Sequence, residues 1–158
     1  MDFIEYFRFL RHSIFVRTKT YTQKNESVFS IDYSKLKKDG VKLLIFDVDD
    51  TLTWNLGRLE EKTIALLKDL SKKFKIAIFS NCSKNRRKKL SIMLSGLDIY
   101  IVPIGGKPGK QGFLHTIGHF RIKPENIAMI GDRMGTDIWG AYVTNIKERV
   151  LVKGYLRS

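Results

Sequence analysis

A three-layer α/β domain, with a parallel sheet covered by helices on both faces, is the fold class the sequence predicts, on three observations. Short apolar runs recur at residues 41–46, 75–79, 99–102, 127–130 and 149–152. Between them lie longer stretches with apolar residues at helical spacing. Polar residues gather just after the runs, where an open parallel sheet collects its ligands.

The first run, residues 41–46, is broken only by Lys42 and ends in Asp47-Val48-Asp49-Asp50-Thr51. Residues 60–73 then place Ile64, Leu67 and Leu70 on one helical face, with Phe74 following and lysines between. The strand at 75–79 runs into Ser80-Asn81. Ser83 is suited to cap a basic helix carrying Leu90, Met93 and Leu94, which Gly96 closes as a left-handed stop. A strand at 99–102 precedes a Gly-rich loop with Lys107-Pro108, and Phe113, Leu114, Ile117 and Phe120 mark the next helix. After a turn at 123–126, the strand at 127–130 leads to Gly131-Asp132, with Asp137 beyond. A helix over 136–144 and a last strand at 149–152 complete the alternation. Residues 1–40 read as an amphipathic and linker segment, and 41–158 as the domain.

A chain of 158 residues suits one domain with a substantial core. Twenty-nine Lys plus Arg against 16 Asp plus Glu give a formal charge of +13, which favours phosphate-rich partners. One cysteine, Cys82, excludes an intramolecular disulfide and a cysteine-based zinc site, so a reducing, cytoplasmic setting is expected. The aromatic start is too short to span a bilayer. Its stripe of Phe3, Tyr6, Phe7, Leu10 and Ile14, interleaved with Arg8 and Arg11, suits an interfacial helix, or equally one packed on the domain.

Three acids at one strand exit pose an electrostatic problem. Two like charges about 4 Å apart repel by roughly 4 kcal/mol at an effective dielectric near 20, which a divalent cation reverses. Along an extended strand end Asp47 and Asp49 share a face while Val48 turns to the core. The alternative is an acid-rich turn or helix cap. Asp137 is open to a similar pair of readings, a metal-linked role or a favourable place at a helix amino end. The loop Gly105-Gly106-Lys107-Pro108-Gly109-Lys110-Gln111 is no Walker loop, because Ile104 stands at the first glycine position and Gln111 replaces the serine or threonine.

Taken in order, the runs FDVDDTL, IFSN, GGKPGK and GDRMGTDI resemble the four motifs of the haloacid dehalogenase superfamily of phosphohydrolases. The resemblance spans residues 43–152, and more finely it is to the YqeG-like phosphatases of subfamily IIIA. These are similar to the mitochondrial and plastid phosphatases acting on phosphatidylglycerophosphate. It implies a Rossmann-like sheet and an aspartyl-phosphate mechanism. In it Asp47 is the nucleophile, Asp49 the general acid and base, and Lys107 the charge-offsetting catalytic lysine. It further implies Ser80, with the Asn81 backbone after it, and Thr51 at the substrate phosphate, Thr51 by holding the first loop. Mg2+ would be held by Asp47, Asp49 through its carbonyl, and Asp132, with Asp137 behind them.

Between Thr51 and Ser80, and between Asn81 and Lys107, there is no room for a cap domain. An open crevice gains little by enclosing a small molecule, so a large or surface-presented phosphomonoester is expected. Lys84, Arg86, Arg87, Lys88 and Lys89, at the start of the basic helix, are placed to attract an anionic membrane to which the protein is peripheral; the alternative is a solvated face. A basic nucleic-acid or ribosome-associated module, or a polynucleotide-end phosphatase, is the less favoured reading.

Overall fold

The structure, a computed structural model, describes residues 20–155. Its elements in chain order are β1 (Gln23–Asn25), α1 (Tyr33–Lys38), β2 (Leu43–Phe46), α2 (Glu61–Ser71), β3 (Lys75–Ile78), α3 (Lys84–Met93) and β4 (Ile99–Ile101). There follow α4 (Lys110–Phe120), β5 (Ile127–Gly131), a π-helical turn (Met134–Ile138), α5 (Trp139–Val143) and β6 (Glu148–Val152). All six strands are parallel, in the order β1-β6-β5-β2-β3-β4. From β2 the chain steps outward through β3 and β4, then returns to the other side of β2 for β5 and β6. The order therefore reverses between β2 and β5, and a crevice opens beyond their carboxyl ends.

Strand alternation divides the core in two. Leu44 and Phe46 of β2 point to the layer of α2 and α3, where they join Leu67, Leu70 and Leu90. Leu43 and Ile45 point the other way, to Phe113 of α4 and Ala141 of α5. Every residue of β2 is fully buried, as expected of a central strand covered on both faces. Phe46 stands level with Ile78 on β3 and with Ile130 on β5, so the residues after these three strands leave the sheet at one height.

One sequence expectation is corrected here. Residues 20–40 do not form a linker set apart from a domain beginning at 41. β1 pairs with β6 and adds a sixth strand at the sheet edge, while Val28, Ile31 and Leu36 are buried in the core on the α2 and α3 side. Their lysine-rich neighbours hid three well-placed apolar anchors. Ser83 caps α3 by accepting from the Arg86 amide at 3.3 Å, as predicted, and Asp32, not singled out in the sequence, caps α1 by accepting from the Lys35 amide at 2.9 Å. The helix expected over 136–144 is instead a π turn followed by the short α5. The interfacial stripe from Phe3 to Ile14 lies outside the described residues. Among the described residues no helix is long and apolar enough to cross a membrane.

Candidate active site

The loops leaving β2, β3 and β5, with the loop before α4, meet around a cavity of about 190 Å³ lined by Asp47, Asp49, Ser80, Asn81, Lys107, Arg133 and Thr136. Strand β2 delivers Asp47, whose amide donates to the Ile130 carbonyl at 3.0 Å and so extends the ladder one residue past the strand. Val48 turns into the core and is fully buried. Its carbonyl accepts from the amides of Thr51, Leu52 and Thr53, a tight turn that brings Asp49 round to the cavity. Asp50 takes a left-handed conformation, with φ of 60°, and its carboxylate accepts from the Asn55 amide at 3.1 Å. Its part is to shape the loop.

Lys107 is the electrostatic centre. An ammonium has three N–H bonds. Here they reach Asp47 Oδ1 at 2.8 Å, Asp137 Oδ1 at 2.6 Å and the Phe79 carbonyl at 2.7 Å. Burial would drive the amine towards neutrality, but the carboxylates of Asp137 and Asp47 outweigh it and hold the ammonium above the usual lysine range. Burial pushes the Asp137 carboxyl up against the opposing pull of Lys107. At this separation the proton of the pair belongs on nitrogen. The second Asp137 oxygen accepts from the Arg133 amide at 3.2 Å, so both its oxygens are spent within the protein.

Asp132 completes an acidic group. Oxygens of Asp47, Asp132 and Asp137 lie within 4.8 Å of one another. Burial, then Asp137 and Asp47, raise the Asp132 carboxyl to about 6. Three carboxylates against one ammonium leave an excess of negative charge, and the donors are all hard oxygens, so the residues fit a divalent cation such as Mg2+. Each of the three acids brings an oxygen within reach of one ion, and Asp137, nearly fully buried and paired with Lys107, is the least free of them.

Three predicted residues turn their side chains to partners within the protein. Thr51 is fully buried and outside the cavity lining; its hydroxyl lies 3.2 Å from Asp132 Oδ1 and 3.5 Å from Asp47 Oδ2, a tie between the acids and not a phosphate ligand. Asn81 spends its side chain on the neighbouring loop, accepting from the amides of Gly106 at 2.9 Å and Lys107 at 2.8 Å and donating to the Lys107 carbonyl at 2.9 Å. That side chain positions Lys107, while the residue still lines the cavity beside Ser80. Arg86 does not stand out into solvent with its basic neighbours but turns inward and pairs with Asp49. It also donates to the carbonyls of Leu56 at 2.8 Å and Gly57 at 3.2 Å, pinning the loop that follows the acids. One signal for this was available: Arg86 shares a helical face with Leu90 and Met93, the face that packs inward. Ser80 is buried on the cavity wall, where it was expected. Arg133 and Thr136, not singled out in the sequence, line the same wall.

Comparison with known proteins agrees with this arrangement. A family model described as haloacid dehalogenase-like hydrolase matches residues 57–141, a span carrying Ser80, Lys107, Asp132 and Asp137 and beginning after Asp47 and Asp49. The chain is 27% identical over 117 residues to "Probable phosphatase YqeG" of Bacillus subtilis, covering 73% of this chain and 66% of that relative, so it spans a little less than two thirds of the relative's length. An uncharacterized protein from Listeria monocytogenes serotype 4b shares the fold, with a TM-score of 0.57 at 22% identity over 75% of this chain and 83% of the other. A haloacid dehalogenase phosphatase from Thermococcus onnurineus has a TM-score of 0.51 at 25% identity, covering 64% of this chain and 50% of that one. With the family match extending over more than half of its residues, the chain belongs to the haloacid dehalogenase-like hydrolase family.

Proposed function

We propose that the protein is a magnesium-dependent phosphomonoester phosphatase working through an aspartyl phosphate, with a phosphatidylglycerophosphate-like lipid as substrate. The observation carrying this reading is the state of Asp47. It is buried, and one oxygen is fixed by Lys107 at 2.8 Å in a cavity it shares with Asp49 and Ser80. A carboxylate oriented in this way is suited to attack phosphorus, splitting one hard hydrolysis into two easier steps. Lys107 offsets the charge that Asp47 shares with the transferring group. Asp49, two residues on, protonates the leaving oxygen and later takes a proton from the attacking water. When bound between Asp47 and Asp132, the divalent ion supplies charge neutralisation at the phosphoryl oxygens.

Two points support the lipid. Neither gap between motifs holds a cap, which leaves the crevice open to a surface. Trp54 and Leu56, on the loop leaving Asp49, are exposed at 47% and 65%. The proposed setting is cytoplasmic, with peripheral association at an anionic membrane.

The test is inorganic phosphate release from lipid, nucleotide, sugar and oligonucleotide monoesters, with and without magnesium. The expected result is metal-dependent release that is fastest on the lipid. Release from none of them overturns the phosphatase, and a lipid among the poorest substrates overturns the substrate assignment.

A further inference from the structure

A second depression lies beside the phosphate cavity, about 480 Å³ in volume, lined by Leu56, Gly57, Arg58, Arg86, Lys89, Ile92 and Met93. Two segments form it, the loop after Asp49 and the outer half of α3. Its chemistry is mixed in a particular way. Leu56 and Ile92 are 65% and 63% exposed, among the most open large apolar side chains of the described residues. Arg58 and Lys89 add charge, and no acidic residue lines it. Arg86 is common ground: it forms part of this wall and holds Asp49, which lines the phosphate cavity.

An apolar floor with cations beside it matches an amphiphile that carries an anion next to hydrocarbon, and it matches nucleic acid less well. A polynucleotide groove needs cations spaced along a backbone and flat rings for bases to stack on, and no aromatic side chain lines this depression. On charge and apolarity together, the geometry points to this groove as the site for the alcohol portion of the substrate. The occupant is a phosphomonoester whose leaving group bears a second anionic group and an acyl chain. Arg58 and Lys89 face the second anion, while Leu56, Ile92 and Met93 face the first methylenes of the chain. This inference rests on the phosphatase reading for its catalytic readout and deepens it by naming the surface that selects the substrate.

Two measurements on the full chain test it separately from that reading. The first compares kcat/KM for a dihexanoyl glycerolipid carrying a terminal phosphomonoester and an internal phosphodiester with that for glycerol 3-phosphate. Wild type is expected to favour the lipid, and in Arg58→Ala/Lys89→Ala and in Ile92→Ser the preference is expected to fall about tenfold, chiefly through KM. An unaltered preference in both variants overturns the groove. So does a phosphorylated oligonucleotide showing the larger groove-dependent preference, which would assign the surface to nucleic acid. The second measurement needs no turnover: calorimetric titration with dihexanoyl phosphatidylglycerol, which has the phosphodiester and chains but no monoester. Binding that weakens at least about fivefold in both variants sustains the groove even if no monoester is hydrolysed, the result that overturns the phosphatase alone. Absence of binding by wild type, or equal binding by all three proteins, overturns the groove even if phosphatase activity is found.

Discussion

Asp47 and Asp49 leave the same strand two residues apart, yet one is held from inside the molecule and the other from its rim. Asp47 is fixed by Lys107, a buried ammonium whose every N–H is taken and whose loop is clasped by Asn81. Asp49 is fixed by Arg86, a guanidinium on a surface helix that also ties down the exposed loop at Leu56 and Gly57. On the proposed mechanism the difference separates two tasks. A nucleophile benefits from an unvarying approach, whereas the group serving the leaving oxygen must tolerate whatever is attached to it. On the proposed mechanism the inner half suits any phosphoryl group, and the outer half is where substrates would be told apart.

Replacing either anchor tests that division. The largest effect is expected from Asp47→Asn, which removes the attacking oxygen but keeps the shape. Steady-state phosphate release should fall by at least about a thousandfold, with melting temperature little changed. A residual rate near wild type would move the nucleophile elsewhere. Next comes Lys107→Met, which strands the Asp137 carboxylate and leaves Asp47 without its partner. Urea unfolding should show a loss of about 3–5 kcal/mol, since an uncompensated buried charge costs that much. A loss below about 1 kcal/mol would mean that the inner half is not electrostatically locked.

At the rim the effect should be smaller and catalytic in kind. Arg86→Ala frees Asp49 and the loop, and kcat is expected to drop about tenfold. Arg86→Lys should recover only part of it, because an ammonium cannot reproduce the forked contact with carboxylate and carbonyls. Full recovery by lysine would reduce the role of Arg86 to charge.

The smallest expected effect concerns Asp132. Its carboxyl is raised from 3.8 to about 6, so the fold favours the neutral form. That contribution is complete below about 3.8 and is lost as pH rises through about 6. Without metal, wild type should therefore gain about 2–4 °C relative to Asp132→Asn on acidification from about pH 7.5 to pH 5. Saturating magnesium should stabilise wild type more at the higher pH, because proton and cation compete for the same oxygens. Differential scanning calorimetry at the two pH values reads both, and a difference of opposite sign would remove Asp132 from the cation site.

Much of the inner half was readable from the chain, and most of the rim was not. Strand exits in a parallel sheet are fixed by alternation and register. Asp47, Ser80 and Asp132 could therefore be placed at one crevice before any coordinates, and Lys107 followed from the family resemblance. Arg86 was obscured because α3 is basic nearly all round, so its one inward cation looks like its outward neighbours. The side-chain partners of Asn81 and Thr51 were not legible, since a side-chain amide or hydroxyl can as well bond its own protein as a ligand. β1 is only three residues long, below what a periodicity argument can register. The two exposed apolar residues of the groove, Leu56 and Ile92, lie on separate elements, and only the fold makes them neighbours.

The π turn at Met134–Ile138 swings Asp137 back over Gly131 so closely that a Cβ at 131 would stand 2.3 Å from the Asp137 carboxylate. Positions 131 and 137 thus fit each other like the halves of a lock. A methyl at 131 would evict the acid that seats Lys107, and tightening the turn by one residue would swing that acid away from the lysine. A side chain can be accommodated at 131 only if 137 changes with it.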